Sequence, residues 1–248
     1  MNLSKTHYER IDIWNKKQPE KFKKLYATEM LRYKQLLLMI PQHMKKIIDI
    51  GCGKGYMDYL LAKKGFLVTA VDIDNESLLK FKKIAQDYRI KQINKDFNSL
   101  DLKGYDIILS QEVLEHLEDY KKALKKYASF IKKSGYGLFS VPYKENLQAK
   151  MVYDSKTGDY YHRNFHLHSF DKQKFVDGIK WAGFKIKKIK LLTNKRLIKL
   201  LAFWDLPVNK FSLFLDSIMN FIFPHKATYI AILCEKKENN EKNMSRNF

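Results

Sequence analysis

The chain has 248 residues, enough for one large domain or a domain with an appendage, and its 45% hydrophobic and 30% charged content excludes wholesale disorder. Two cysteines, Cys52 and Cys234, exclude a disulfide framework and, unaided, a structural zinc site. Lys and Arg outnumber Asp and Glu, 47 to 27, for a net charge of +20, but the basic residues are mostly scattered lysines, which counts against an arginine-rich nucleic-acid face.

The opening residues, Met1 to His7, lack an apolar core, so no leader is expected. The most apolar stretch, residues 197–223, is interrupted by Lys199, Asp205, Pro207, Lys210 and Asp216, so no transmembrane span is expected either. A cytoplasmic protein is expected, with peripheral membrane contact through 197–223 left open.

Residues 1–45 read as a helical cap: Leu25, Met30, Leu31, Leu36, Leu37 and Ile40 recur at helical spacing, and Pro41 ends the run. A second unit spans 46–236. Its first strand is Ile47-Ile48-Asp49-Ile50, followed at once by Gly51-Cys52-Gly53-Lys54-Gly55 and a helix to Lys64. The next strand, 66–71, is closed by Asp72. A helix over 75–88, a weak strand at 90–93 and a strong one at 105–109 follow. Beyond them come a helix at 119–131, a strand at 137–141, a helix at 172–181, and strands at 184–192 and 227–235. Residues 237–248 read as a disordered charged tail. Strands alternating with helices predict a parallel sheet with helices on both faces.

In such a sheet, ligands bind beyond the carboxyl ends of the strands. Gly51, Gly53 and Gly55 let a ligand approach the backbone closely. Asp72 stands where a carboxylate takes a ribose diol. Asp49, two residues before the first glycine, suits a ligand carrying an ammonium or sulfonium charge rather than a pyrophosphate.

At these residues the sequence resembles the class I S-adenosylmethionine-dependent methyltransferases. Asp49 to Gly55 is similar to their first motif, Val71-Asp72-Ile73-Asp74 to the second, Lys95-Asp96-Phe97 to the third, and the run from Asp106 through Ser110-Gln111 to His116 to the fourth. The resemblance covers roughly 45–190 and 227–235. It implies a Rossmann-like α/β fold, a mostly parallel seven-stranded sheet with an antiparallel last strand. It also implies S-adenosylmethionine as cofactor, held by Asp49, Gly51, Cys52, Gly53, Gly55, Asp72, Ile73, Asp96, Phe97, Ser110 and Gln111.

The acceptor implied is a small molecule with a hydroxyl oxygen, such as a quinone precursor, lipid or sugar intermediate, since the sequence resembles the ubiquinone-pathway O-methyltransferases among others. His116 and His166 are the candidate general bases. Glu112-x-x-Glu115-His116 also resembles the metal-binding stretch of small-RNA 2′-O-methyltransferases, with His168 as a further ligand. On that resemblance Glu112, Glu115, His116 and His168 would hold Mg²⁺ or Mn²⁺. A structural or substrate-contact role is the alternative. An RNA acceptor is a second reading, and a non-catalytic nucleoside-binding module a third. Residues 143–170, rich in Tyr and His, read as the acceptor loop. The apolar insert at 193–226 is expected to pack on the body and line the acceptor pocket through Phe203, Trp204 and Phe214. A lid or a membrane foot are its alternatives.

Overall fold

The computed structural model describes residues 23–237. Part of the expected cap, 1–22, and the tail beyond 237 lie outside the described residues. Helix α1 (Lys23–Leu37) buries Leu31 and Leu36 completely. Strand β1 (Lys46–Ile50) is buried after its first residue, as a central strand covered on both faces must be. The glycine turn leads into α2 (Tyr56–Lys63), β2 (Leu67–Asp72), α3 (Asn75–Lys80), α4 (Lys82–Asp87) and β3 (Lys91–Asn94).

The helix expected over 75–88 is thus two short helices. Phe81 breaks it at φ −116, with its ring fully buried. Strand β4 (Tyr105–Gln111) precedes α5 (Tyr120–Phe130) and β5 (Ile131–Pro142). The latter starts six residues earlier than expected, because Lys132-Lys133-Ser134 carries no apolar signal although Ile131 pairs with Tyr105. A small hairpin of β6 (Met151–Tyr153) and β7 (Tyr160–His162) stands in the long connection. Then come α6 (Lys172–Trp181), β8 (Phe184–Asn194), α7 (Lys195–Phe203), α8 (Lys210–Ile222) and β9 (Ala227–Lys236).

The main sheet has seven strands in the order β3-β2-β1-β4-β5-β9-β8. All pairs are parallel except β5 with β9 and β8 with β9, so β9 alone runs against the rest. Alternation along the strands splits the core. Ile47 and Ile107 face a cluster with Leu31, Leu61 and Leu197 of α1, α2 and α7; Ile48 and Ile108 face one with Tyr127, Phe175 and Ile179 of α5 and α6. The carboxyl ends of β1, β2, β4, β5 and β8 therefore converge on one end of the sheet. That end carries the glycine turn, the acidic stretch after β4, the hairpin loop and the α7–α8 insert.

Candidate active site

The backbone after β1 turns sharply because three glycines adopt positive φ: 75° at Gly51, 53° at Gly53 and 68° at Gly55. The Gly51 and Cys52 amides both donate to the Val71 carbonyl at 2.8 and 3.1 Å, tying the turn to β2. A Cβ at Gly51 would lie 2.3 Å from Val113 Cγ2, whereas at Gly53 it would meet nothing within 4 Å. Gly53 is therefore where the chain leaves room for a ligand.

Three acids surround this turn. Asp72, at the end of β2, accepts from the Gly53 amide at 2.7 Å and from the Asp74 amide at 2.8 Å. Asp49 and Asp58 are buried, and Asp49 Oδ1 and both Asp58 oxygens have no hydrogen-bond donor among the described residues. Burial, and then the neighbouring carboxylates, push Asp49 well above the usual carboxylate range. Burial raises Asp58 to about 8, and burial raises Asp72 as well. Clustered buried carboxylates that raise one another's pKa favour a cation among them. Asp58 was not singled out from the sequence; the available signal was a lone acid on the apolar first turn of α2, between Met57 and Leu61.

Further round the same end, Ile73 is exposed just past β2. Asp96 caps the short turn at Phe97–Ser99, its Oδ1 accepting from the Asn98 amide at 2.8 Å. Phe97 packs edge-on against Tyr127, centroids 5.0 Å apart. The Ser110 hydroxyl and Gln111 Oε1, at the end of β4, are buried without partners among the described residues.

After β4 the chain strains: Glu112 has φ 56, a left-handed conformation uncommon for a side chain of this size. Its carboxylate turns toward α1. It lies 3.4 Å from Arg32 Nη1 and accepts from Ser140 Oγ at 3.1 Å. Burial raises it to about 7 despite Arg32. Arg32 in turn bonds Glu29 at 2.6 Å. Glu115 is completely buried, neither oxygen has a donor among the described residues, and burial followed by the Glu112 charge raises it well above its usual value.

The tetrad expected from Glu112, Glu115, His116 and His168 is not assembled. His168 Nε2 bonds the Leu117 and Glu118 carbonyl oxygens at 2.9 and 3.2 Å, and Glu112 is taken by Arg32. The residue that joins Glu115 and His116 is His166, with one ligand atom from each within 4.8 Å of the others. The reason is the partner each ring finds. The Leu167 and His168 amides both donate to the Glu115 carbonyl, but the His168 ring is engaged by the Leu117 and Glu118 carbonyls while the His166 ring is held by Glu145.

His166 belongs to a second cluster that sequence reading missed. Its Nδ1 donates to Glu145 Oε2, and its ring stacks on His162 at 4.8 Å and meets His116 edge-on at 4.7 Å. Glu145 accepts from Lys150 as well. Burial works to raise Glu145, but the His166 and Lys150 hydrogen bonds outweigh it and hold it at about 2. An ionised Glu145 accepts only, so Nδ1 of His166 carries a proton and Nε2 is left for a partner, 4.0 Å from Glu115 Oε1. Partial burial, then His166, lower His116 to about 4, leaving it neutral near pH 7. Nothing local in the sequence pairs Glu145 with His166. The β6–β7 hairpin and the loop after it bring them together.

A family model described as a methyltransferase domain matches residues 22–189. A ubiquinone biosynthesis O-methyltransferase of Coxiella burnetii is 35% identical over 134 residues, covering 52% of this chain and 56% of that protein. The chain thus spans about half the length of the curated relatives it matches. Among solved structures, the magnesium protoporphyrin IX methyltransferase of Synechocystis with bound S-adenosylhomocysteine superposes with a TM-score of 0.64 at 14% identity, over 95% of this chain and 96% of that one. A methyltransferase from Mesorhizobium loti gives 0.62 at 16%, over 83% and 98%. These two likenesses speak for the fold.

Proposed function

We propose that this chain, which belongs to the class I S-adenosylmethionine-dependent methyltransferases, transfers a methyl group to a hydroxyl oxygen of a small acceptor. The carrying observation is the Glu145–His166 pair, set beyond β4 and β5 at the end of the sheet that also holds the glycine turn. The coarse activity follows the family. The oxygen acceptor, of quinone-precursor, lipid or sugar type, takes support from the relative whose name includes ubiquinone biosynthesis.

The cofactor fits the residues present. Asp49 and Asp58 offer buried, donor-less carboxylate oxygens to a cation, Gly53 leaves space for a ligand, and Asp72 and Asp96 offer carboxylates to sugar and base. When bound, S-adenosylmethionine supplies a methyl group already activated on sulfonium. The chain's own work is alignment and proton removal. Glu145 holds the His166 tautomer, so Nε2 can take a proton from the acceptor hydroxyl. Neutral His116 and the high-pKa Glu115 beside it add no competing charge.

A second reading has its own observation: Glu115, His116 and His166 each bring one candidate ligand atom within 4.8 Å of the others. Donor-less Glu115 with two imidazoles fits a divalent ion such as Mn²⁺, and less well Mg²⁺, which prefers oxygen ligands. Such an ion would lower the acceptor hydroxyl's pKa.

The test is turnover with methyl-labelled cofactor and a panel of catechol, lipid and sugar hydroxyl acceptors. His166→Ala should lower kcat roughly 10²–10⁴-fold. Glu145→Gln should lower it by about tenfold to a hundredfold with cofactor affinity unchanged. Full activity in excess EDTA removes the metal reading and leaves the Glu145–His166 pair. Unchanged kcat in both variants would overturn the base assignment.

A further inference from the structure

Helix α8 is amphipathic in the wrong sense for a helix on a protein body. Its buried residues are polar: Ser212, Asp216 and Asn220, spaced four apart on one face. Asp216 is 0% exposed and accepts from the Thr193 and Asn194 amides at 3.0 and 2.7 Å, where β8 ends. Asn220 donates to the Leu191 carbonyl at 3.1 Å, and Gln35 of α1 reaches the Leu213 carbonyl at 2.7 Å. These bonds pin the helix by its polar stripe and turn its apolar stripe outward.

Phe221 on that stripe is 88% exposed, and Phe203 and Trp204 at the end of α7 are 79% and 64% exposed. Phe211, Phe214 and Ile222 are exposed beside them. Isolated exposed apolar residues need no explanation, but a run across two adjacent helices held there by buried hydrogen bonds does. Of the insert, Leu197, Ile198 and Leu201 pack on the body as expected, whereas Phe203, Trp204 and Phe214, expected to line the acceptor pocket, stand exposed.

Charge decides the occupant. Between residues 195 and 226 stand five basic residues, Lys195, Arg196, Lys199, Lys210 and Lys226, against two acids, Asp205 and the buried Asp216. The whole chain carries +20, so a second copy would bring like charge to the same face. No helix among the described residues is long and apolar enough to cross a membrane. Aromatic residues on a short helix with a basic surround are the chemistry of a segment lying in the bilayer interface.

The geometry points to α7 and α8 as a docking foot for an anionic phospholipid surface. Phe203, Trp204, Phe214 and Phe221 enter the headgroup boundary while the lysines meet lipid phosphates. The foot stands at the sheet end that carries the candidate active site, but the inference rests on none of that site's chemistry.

Cosedimentation with phosphatidylcholine vesicles, with and without phosphatidylglycerol, tests it. The wild-type chain should bind the anionic vesicles and bind the neutral ones at least about tenfold more weakly. The pairs Phe203→Ser with Trp204→Ser, and Phe214→Ser with Phe221→Ser, should each lower anionic binding roughly tenfold or more, with unfolding temperature and cofactor affinity unchanged. Should either pair fail to fold, Trp204 emission decides instead. It should shift to the blue on anionic vesicles and be quenched by brominated acyl chains, a signal missing from Trp204→Phe. A wild-type chain that stays free of anionic vesicles overturns the inference. So do serine variants that bind as well as wild type, or a wild-type dimer that those variants convert to monomer.

Discussion

Gly53 and Gly55 both adopt left-handed backbone, yet a Cβ at each meets different surroundings. At Gly55 it would sit 2.4 Å from ring carbons of the fully buried Phe81. At Gly53 it would reach open space. Gly55→Ala should therefore destabilise the fold by about 1–3 kcal/mol through overpacking, on top of the strain of a left-handed alanine. Gly53→Ala carries the strain alone and should chiefly weaken cofactor binding. Thermal unfolding and titration calorimetry on the pair separate the two effects. Asp72→Ala should weaken binding about tenfold or more, partly by freeing the Gly53 amide that its carboxylate now holds. Asp58 predicts a pH effect. Its carboxyl, raised by burial to about 8, is protonated below that pH in the free protein. A cation bound beside it favours the ionised form. Cofactor affinity should rise as pH climbs from 6 toward 8, with proton release that calorimetry in buffers of different ionisation enthalpy measures. In Asp58→Asn that release should be lost.

At the scale of elements, α8 depends on one buried carboxylate. Asp216→Ala leaves the Thr193 and Asn194 amides without their acceptor inside the protein, each costing about 1–3 kcal/mol. Denaturant titration should show that loss in the midpoint. Asp216→Asn, which can still accept one of the two, should lose less. Equal stability of Asp216→Ala and wild type would mean that the insert is not held by its polar face. Phe211, Phe214, Ile218, Phe221 and Ile222 recur at helical spacing, and the segment is a helix. The direction in which the stripe points was not legible, because pattern alone assumes that the apolar face goes inward. Here the polar face finds hydrogen-bond partners at the end of β8, and those partners lie about 22 residues or more away along the chain.

For the whole molecule, Asp106 clamps the opposite end of the sheet. It accepts from the Lys45 and Lys46 amides at 3.0 and 2.8 Å and from Lys132 Nζ at 2.7 Å, joining the starts of β1, β4 and β5. Partial burial works to raise its pKa, but the bonds from Lys132, Lys46 and Lys45 outweigh this and hold it at about 2, below the ordinary 3.8. A depressed carboxylate adds stability above its unfolded value and loses it as pH falls through the folded one. Asp106→Asn should lower the Tm at neutral pH, and its gap from wild type should close between pH 4 and 2. A gap that stays constant over that range would show that the charge is not what holds these strands.

The sheet and its glycine turn were readable from local signals. The apolar runs 47–50, 105–109 and 227–235 are buried strands, and Gly51, Gly53 and Gly55 are needed wherever a turn requires positive φ. Both signals act over a few residues, so the order of letters determines them. The acids at 49, 72 and 96 were legible for the same reason, since they stand within, at the end of and just after their own strands. What only the tertiary structure decided is which distant side chains share a pocket and which way a helix faces. Glu145 and His166 are 21 residues apart and meet because a hairpin folds back. His166, and not His168, joins Glu115 because the His168 ring is taken by the Leu117 and Glu118 carbonyls while Glu145 holds the His166 ring in place. Arg32 reaches Glu112 only because α1 packs over the end of the sheet. Such contacts depend on loop closure and on competition for hydrogen-bond partners, which act between segments and leave no periodic trace in either one.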